Sequence, residues 1–110
     1  MNNLSQKKCG PCSSGTIPFS EKQINTFKPL INPSWTLINN LKLERSYKFP
    51  NFIQALAFVN RVGELAEKEG HHPDITLSWG KVILELMTHK IKGLSENDFI
   101  LAAKIDELIP

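Results

Sequence analysis

The spacing of apolar residues changes several times along the chain, and these changes predict the order of helices and strands. Ile24, Phe27 and Leu30 fall on one face of a helix, because residues three or four positions apart lie on the same side of an α-helix. The preceding residues, 20–23, form a Ser-x-x-Gln capping box, which predicts where this helix begins. The helix is expected to stop near Pro33, because proline does not continue a helix.

Two strands are predicted next, at about residues 34–39 and 41–48. Trp35, Leu37 and Leu43 fall at strand-like alternating positions, the spacing of a strand with one buried face. The two runs are separated by Asn39-Asn40, and asparagine tolerates positive φ, so this pair predicts a hairpin turn.

The longest predicted helix begins at Pro50-Asn51 and ends at Gly70. Asn51 can cap the first turn, and a glycine just after a helix can adopt the positive φ that ends many helices. The apolar residues cover a broad arc, as expected for a helix that packs on a sheet. The predicted buried stripe consists of Phe52, Leu56, Val59, Gly63 and Ala66, widened by Ala55, Phe58, Val62 and Leu65.

A second hairpin is predicted between residues 75 and 88, with its turn at Gly80 and with Trp79 in the core. Gly93 separates it from a last helix that begins at Ser95. The short connections favour antiparallel pairing within each pair of strands. The sequence therefore predicts an α+β fold of order α-ββ-α-ββ-α, with two layers: a four-stranded antiparallel sheet and helices packed on one face.

Composition fits a single folded domain without a nucleic-acid or membrane partner. The chain has 110 residues, of which 41% are hydrophobic and 22% charged, and its net charge of +2 is spread along the sequence. The longest mostly apolar stretch, residues 49–60, is shorter than the roughly 20 residues that cross a bilayer. No apolar export segment follows the first lysines, so a cytoplasmic location is expected. Residues 1–19 are predicted to be a flexible arm, and residues 20–110 the domain.

All three histidines lie in the second half of the chain, at points where predicted elements end. His71 and His72 follow the long helix, and His89 ends a strand. The ordinary histidine pKa, about 6.5, suits both proton donation and proton acceptance near neutrality. Glu67, four residues before His71, is expected to orient that ring or pair with it. Adjacent loop histidines are also commonly plain surface residues, so the spacing alone leaves that alternative open.

The histidines belong to a longer ordered set: Glu67, His71-His72-Pro73, Trp79, His89 and Asp98. This set resembles the signature of the pterin-4a-carbinolamine dehydratases, in which an acidic or polar residue precedes His-His-Pro, an aromatic residue, another His and a downstream Asp. The resemblance spans roughly residues 35–108. Gly70 departs from the pattern, because familiar animal members have an acidic residue before the histidine pair.

The resemblance implies an activity and the side chains that would carry it out. Family members remove water from 4a-hydroxytetrahydropterin to give quinonoid dihydropterin, which recycles the pterin used by aromatic amino-acid hydroxylases. The chemistry needs no metal or other cofactor, because the oxidation level does not change. The residues matching the family's active-site histidines are His71, His72 and His89.

The resemblance also implies binding residues and partners. Pterin contacts are expected from Pro73 and from the stretch that contains Thr88, Lys90 and Ile91. Glu67 and Asp98 are expected to support the site, although Asp98 would also suit a purely structural role near a helix start. A homo-oligomer is expected, either a dimer or a tetramer, with contacts through sheet edges or helices.

Two other functions stay open from the sequence. Some animal members bind a homeodomain transcription factor and stabilise its dimer, so the domain could be an interaction module. Cys9-Gly10-Pro11-Cys12 has the spacing of a thioredoxin-type dithiol or of half a zinc site, which histidines would have to complete. Such a dithiol normally follows a strand, and here only eight residues precede it, so a structural or disordered arm is favoured.

Overall fold

The computed structural model describes residues 4–10 and 17–108. Short 3-10 turns occur at Leu4–Gln6, Lys28–Leu30 and His89–Ile91. The helices and strands follow in the predicted order: α1 Glu21–Phe27, β1 Thr36–Ile38, β2 Lys42–Lys48, α2 Phe52–Glu69, β3 Asp74–Ser78, β4 Lys81–Leu86 and α3 Glu96–Asp106.

The four strands form one antiparallel sheet in the order β1-β2-β4-β3. Asn39 and Asn40 both have positive φ, 52° and 57°, at the turn between β1 and β2, as predicted. Register places Leu43 opposite Leu86, so their side chains share a face. The buried side chains of β4 alternate with partly exposed ones, which leaves the other face of the sheet more polar. The predicted α+β class is confirmed.

Helix α2 begins and ends where the sequence predicted. The Asn51 side chain accepts a hydrogen bond from the Gln54 N–H at its start, and Gly70, with a φ of 68°, follows its last residue. Its buried face differs from the prediction, because Phe52 and Leu56 are 42% and 37% exposed. A helix can bury only the arc that faces its neighbours, and α2 packs on the sheet and α3 through Ala55, Phe58, Val62 and Ala66. Within the described ranges, no helix is both long and apolar enough to cross a membrane.

The two tryptophans occupy opposite environments. Trp35 is 1% exposed, and its indole N–H donates to Asp106 Oδ1 at 2.8 Å. Trp79 is 69% exposed, so its predicted core position is wrong. Strand β3 ends at Ser78, and Trp79 lies in the turn beyond the last paired residue, where alternation no longer determines burial.

Residues 4–10 lie against α3. Leu4 is 4% exposed and belongs to the hydrophobic core. The Lys104 ammonium donates to the Ser5 carbonyl at 2.8 Å, and Lys7 pairs with Glu96 at 2.7 Å. This part of the predicted flexible arm therefore packs on the domain, because it contributes an apolar side chain and backbone groups that α3 can bind.

Candidate active site

One cleft of about 320 Å³ is bordered by all three histidines. The turn after α2 contributes two of them and the 3-10 turn after β4 contributes the third. The structure therefore places all three histidines at one cleft. The complete lining is Gly10, Gly70, His71, His72, Met87, Thr88, His89, Lys90 and Asn97.

The end of α2 fixes the position of the adjacent histidines. The Gly70 N–H donates to the Ala66 carbonyl, and the His71 N–H reaches the same carbonyl at 3.3 Å. Because Gly70 has a left-handed conformation, the chain turns sharply out of the helix. Only residues 70–73 connect α2 to β3, so both imidazoles are held between two regular elements.

The loop after β4 is closed by its own backbone. The Thr88 N–H donates to the Gly93 carbonyl at 2.8 Å, and Lys92 adopts a positive φ of 53°. A Cβ at Gly93 would lie 2.8 Å from the Pro18 Cβ, so this position requires glycine. The closed loop exposes His89 on the cleft side.

His71 is paired with a buried carboxylate at the base of the cleft. Its Nε2 lies 2.6 Å from Oδ1 of Asp98, which is fully buried, whereas the His71 side chain is 12% exposed. Oδ2 of Asp98 accepts from the Thr88 hydroxyl at 2.8 Å and from the Ser95 N–H at 3.0 Å. Three donors thus converge on one carboxylate if His71 carries its proton on Nε2. That tautomer leaves Nδ1 as the remaining ring nitrogen.

The other two histidines lie at the rim and are largely exposed. His72 Nε2 is 2.6 Å from Glu67 Oε2, and the two side chains are 59% and 81% exposed. The sequence had suggested that Glu67 pairs with His71. In the structure Glu67 pairs with His72 instead, because Asp98 contacts His71 Nε2. His89 is 60% exposed, with its Nε2 3.7 Å from Asp74 Oδ2.

The remaining predicted residues divide into two groups. Thr88 and Lys90 line the cleft, and the Thr88 hydroxyl is also 2.7 Å from the Ser95 hydroxyl. Pro73 is half-buried and Ile91 is 8% exposed, and neither is among the lining residues. The sequence prediction missed the lining residues Gly10, Gly70, Met87 and Asn97.

A sequence model of a known family matches residues 17–108, and its description is pterin 4 alpha carbinolamine dehydratase. The chain belongs to this dehydratase family. The match confirms the resemblance and the hydro-lyase class expected from the sequence.

Bacterial relatives cover nearly the whole chain. A provisionally named pterin-4-alpha-carbinolamine dehydratase of Alkaliphilus metalliredigens is 56% identical over 107 residues, which are 97% of this chain and 96% of that protein. A Rickettsia bellii protein with the same provisional name is 49% identical over 106 residues, or 96% of this chain and 94% of that protein.

Solved structures share the dehydratase fold. A transcriptional coactivator/pterin dehydratase from Brucella melitensis has a TM-score of 0.77 at 26% identity, covering 84% of this chain and 99% of its own. A pterin dehydratase-like protein, identified as a RuBisCO assembly factor in the α-carboxysome, has a TM-score of 0.58 at 26% identity, covering 68% of this chain and 88% of its own.

Cys9 of this dehydratase is in an environment that suppresses thiolate formation. Burial, reinforced by the negative charge of Glu69, raises the pKa of Cys9 to about 12. Nucleophilic cysteines of thioredoxin-type dithiols have the opposite shift, so Cys9 lacks their main chemical property. The second cysteine of the motif, Cys12, lies outside the described residues, and within the described ranges no three His, Cys, Asp or Glu side chains are grouped to hold a metal ion.

Proposed function

We propose that the protein dehydrates 4a-hydroxytetrahydropterin to quinonoid dihydropterin and so recycles the pterin spent by an aromatic amino-acid hydroxylase. In this elimination the C4a–O bond breaks, the leaving hydroxyl takes a proton and departs as water, and N5 loses its proton. Groups that give and take protons near neutrality serve both transfers. The observation that carries the proposal is the His71–Asp98 pair in a cleft that His72 and His89 also border.

His71 is proposed as one of the two proton-transferring groups. Its Nε2 is committed to Asp98, which leaves Nδ1 to exchange a proton with the pterin. When the ring takes a proton, the adjacent carboxylate compensates the new positive charge, as in other histidine–carboxylate pairs. Asp98 is thus a supporting residue that fixes the tautomer and orientation of His71.

His89 is the second proposed proton-transferring group, and His72 mainly binds and positions the substrate. Both rings are at the rim and have exposed carboxylate neighbours, Asp74 and Glu67. Glu67 therefore supports His72. The rim position gives both imidazoles access to a substrate that enters from solvent.

The loop after β4 is proposed to contact the pterin ring largely through its backbone. Thr88 and Lys90 border the cleft, but the Thr88 hydroxyl is committed to Asp98 and Ser95. Ile91 is buried and anchors the loop, and Pro73 stiffens the link after the histidine pair.

Dehydration of freshly generated 4a-hydroxytetrahydropterin is the direct test. We expect His71→Ala and His89→Ala to lower kcat by about 10²-fold or more, the usual contribution of general acid–base groups. His72→Ala should raise KM more than it lowers kcat. Lys48→Ala, an exposed change on β2, is the matched control and should keep both constants. An inactive wild-type protein would refute the function, and a kcat loss larger than the KM change in His72→Ala would reject that residue's role.

Self-association is proposed as well, through the exposed apolar residues of the first turns of α2. Phe52, Ile53 and Leu56 are 42%, 75% and 37% exposed, and grouped exposed apolar side chains commonly mark an interface. Size-exclusion chromatography with light scattering should give a dimer or tetramer, and Ile53→Glu should give a smaller species. A wild-type monomer at micromolar concentration would contradict this proposal.

The same α2 surface supports a second candidate function, a role as an interaction module. One solved relative is described as a transcriptional coactivator/pterin dehydratase and another as a RuBisCO assembly factor. The two functions separate experimentally, because Ile53→Glu should disrupt association without removing any group of the cleft.

A further inference from the structure

Gly10, in the N-terminal segment, forms one wall of the cleft. Here the segment Leu4–Gly10 is called the arm. The Asn97 side chain, in the first turn of α3, holds the arm through both of its polar atoms. The Gly10 N–H donates to Asn97 Oδ1 at 3.0 Å, and Asn97 Nδ2 donates to the Gly10 carbonyl at 2.8 Å. The amide side chain therefore pairs with Gly10 as a neighbouring strand would.

A second anchor comes from the last residue of α2. Glu69 has a side chain that is only 4% exposed, and its Oε1 accepts from the Cys9 N–H at 3.0 Å. Its Oε2 lies 3.7 Å from the Lys104 ammonium, which also donates to the Ser5 carbonyl. The arm is thus tied to α2, whose end is followed by His71, and to α3, which contains Asp98.

We propose that the arm is a fixed wall of the pterin cleft and that Asn97 and Glu69 are the positioning residues that hold it there. This inference rests on the proposed function, because the wall concerns binding of the same substrate. Asn97 directly precedes Asp98, so the first turn of α3 positions both the wall and the His71 ring.

The wall should act on substrate binding and not on the chemical step. Gly10 offers only backbone groups to the cleft and has no ionisable side chain. Proton transfer by the histidines does not require a contact with the arm. An interaction that binds substrate and transition state equally lowers KM without changing kcat. Loosening the arm should therefore raise KM while kcat stays within about twofold.

Two variants loosen the arm from different positions. Asn97→Ala removes both hydrogen bonds to Gly10, and Glu69→Ala removes the acceptor for the Cys9 N–H from a residue that does not line the cleft. We expect each to raise KM about tenfold, the order expected for lost hydrogen bonds. Glu69→Gln keeps an oxygen acceptor and should restore KM to within about twofold. Lys7→Ala breaks only an exposed ion pair and is the matched control on the arm.

Hydrogen exchange followed by mass spectrometry adds a readout that is independent of activity. In Asn97→Ala and Glu69→Ala, the amides of residues 4–10 should exchange faster than in the wild type. Dihydropterin, the probe ligand, should slow their exchange in the wild type. Because Glu69 is buried, its alanine variant could fail to fold. Asn97→Ala then carries the test, because it removes both hydrogen bonds to Gly10 at a residue that is not buried.

Two results would overturn the inference. One is faster exchange of the arm in Glu69→Ala or Asn97→Ala with KM unchanged. The other is a higher KM in Asn97→Ala without faster exchange, which would make Asn97 a direct substrate contact. Failure of the proposed function is a different result: the wild type would lack dehydratase activity, while protection of the arm by dihydropterin would still report on the wall.

Discussion

Replacement of Asp98 by asparagine changes one atom and reverses the hydrogen bonding of His71. In the wild type, Oδ2 accepts from Thr88 and Ser95, and Oδ1 faces His71 Nε2. In Asp98→Asn the amide oxygen must face the Thr88 and Ser95 donors, so the amide nitrogen faces His71. Two N–H groups cannot share a hydrogen bond, so the His71 ring must move its proton to Nδ1 or rotate.

The expected loss can be bounded from two sides. The same substitution in a serine-protease triad lowers kcat about 10⁴-fold through the wrong tautomer. Here His89 supplies a second proton-transferring group, so a loss of about 10²–10⁴ is expected, or roughly 2.7–5.4 kcal/mol of transition-state stabilisation. Stability should fall by about 1–3 kcal/mol, because the bond to His71 is lost and the bonds from Thr88 and Ser95 then end on a neutral oxygen, while the uncharged amide costs less to bury. A typical domain has a free energy of unfolding of about 5–15 kcal/mol, so the variant should stay folded.

Single-turnover dehydration of 4a-hydroxytetrahydropterin, together with urea unfolding, separates the two effects. Glu67→Gln is the matched control, because it changes a carboxylate to an amide beside His72 at an exposed position. Its kcat should stay within about threefold, as exposed ion pairs contribute little. The reasoning would be refuted by a folded Asp98→Asn protein whose kcat is within about fivefold of the wild type, or by an equal loss in Glu67→Gln.

Three further predictions concern groups outside the proton-transfer pair. Burial raises the pKa of Cys9 from 9.0 to about 12. Its alkylation by iodoacetamide near neutral pH should therefore be about 10²–10³ times slower in the folded protein than in urea. Peptide mass mapping measures the two rates, and equal rates would contradict this prediction. Burial also raises the pKa of Tyr47, whose hydroxyl has no partner within the described residues. Tyrosine titrates near 10 when unfolded, so stability is fully present below about pH 10 and falls as pH rises further; urea unfolding of Tyr47→Phe should show a smaller loss between about pH 10 and 11. Gly63→Ala, in α2 with open space around the new Cβ, should raise the free energy of unfolding by about 0.5–1 kcal/mol. Gly93→Ala should lower the melting temperature and the activity, because its Cβ would meet Pro18 at 2.8 Å. A higher melting temperature for Gly93→Ala than for Gly63→Ala would contradict both expectations.

Local sequence signals predicted what local chemistry determines. The caps of α2 at Asn51 and Gly70 and the turn at Asn39-Asn40 depend on residues within a few positions, so the sequence was sufficient for each. The burial of Phe52 was predicted wrongly, because periodicity gives the apolar arc but not the direction from which neighbours approach.

Long-range pairings explain the remaining differences at the site. The sequence assigned Glu67 to His71 on the basis of helical spacing, but His71 meets Asp98, 27 residues away. The contact of Gly10 with Asn97 spans 87 residues and leaves no pattern in either segment. Which carboxylate reaches which imidazole is decided by the packing of α3 beside the turn after α2, and this packing follows from the assembled core.

The contrasting environments of the two indoles make this protein its own optical probe. Trp35 is enclosed and hydrogen-bonded, so its fluorescence should respond to melting of the interior, whereas Trp79 is already in water when the chain is folded. A Trp79→Phe protein would therefore emit from the interior alone. The shift of its emission on heating would report the temperature at which packing around Asp106 is lost. The difference between the wild-type and Trp79→Phe spectra would report on Trp79, at the tip of the second hairpin.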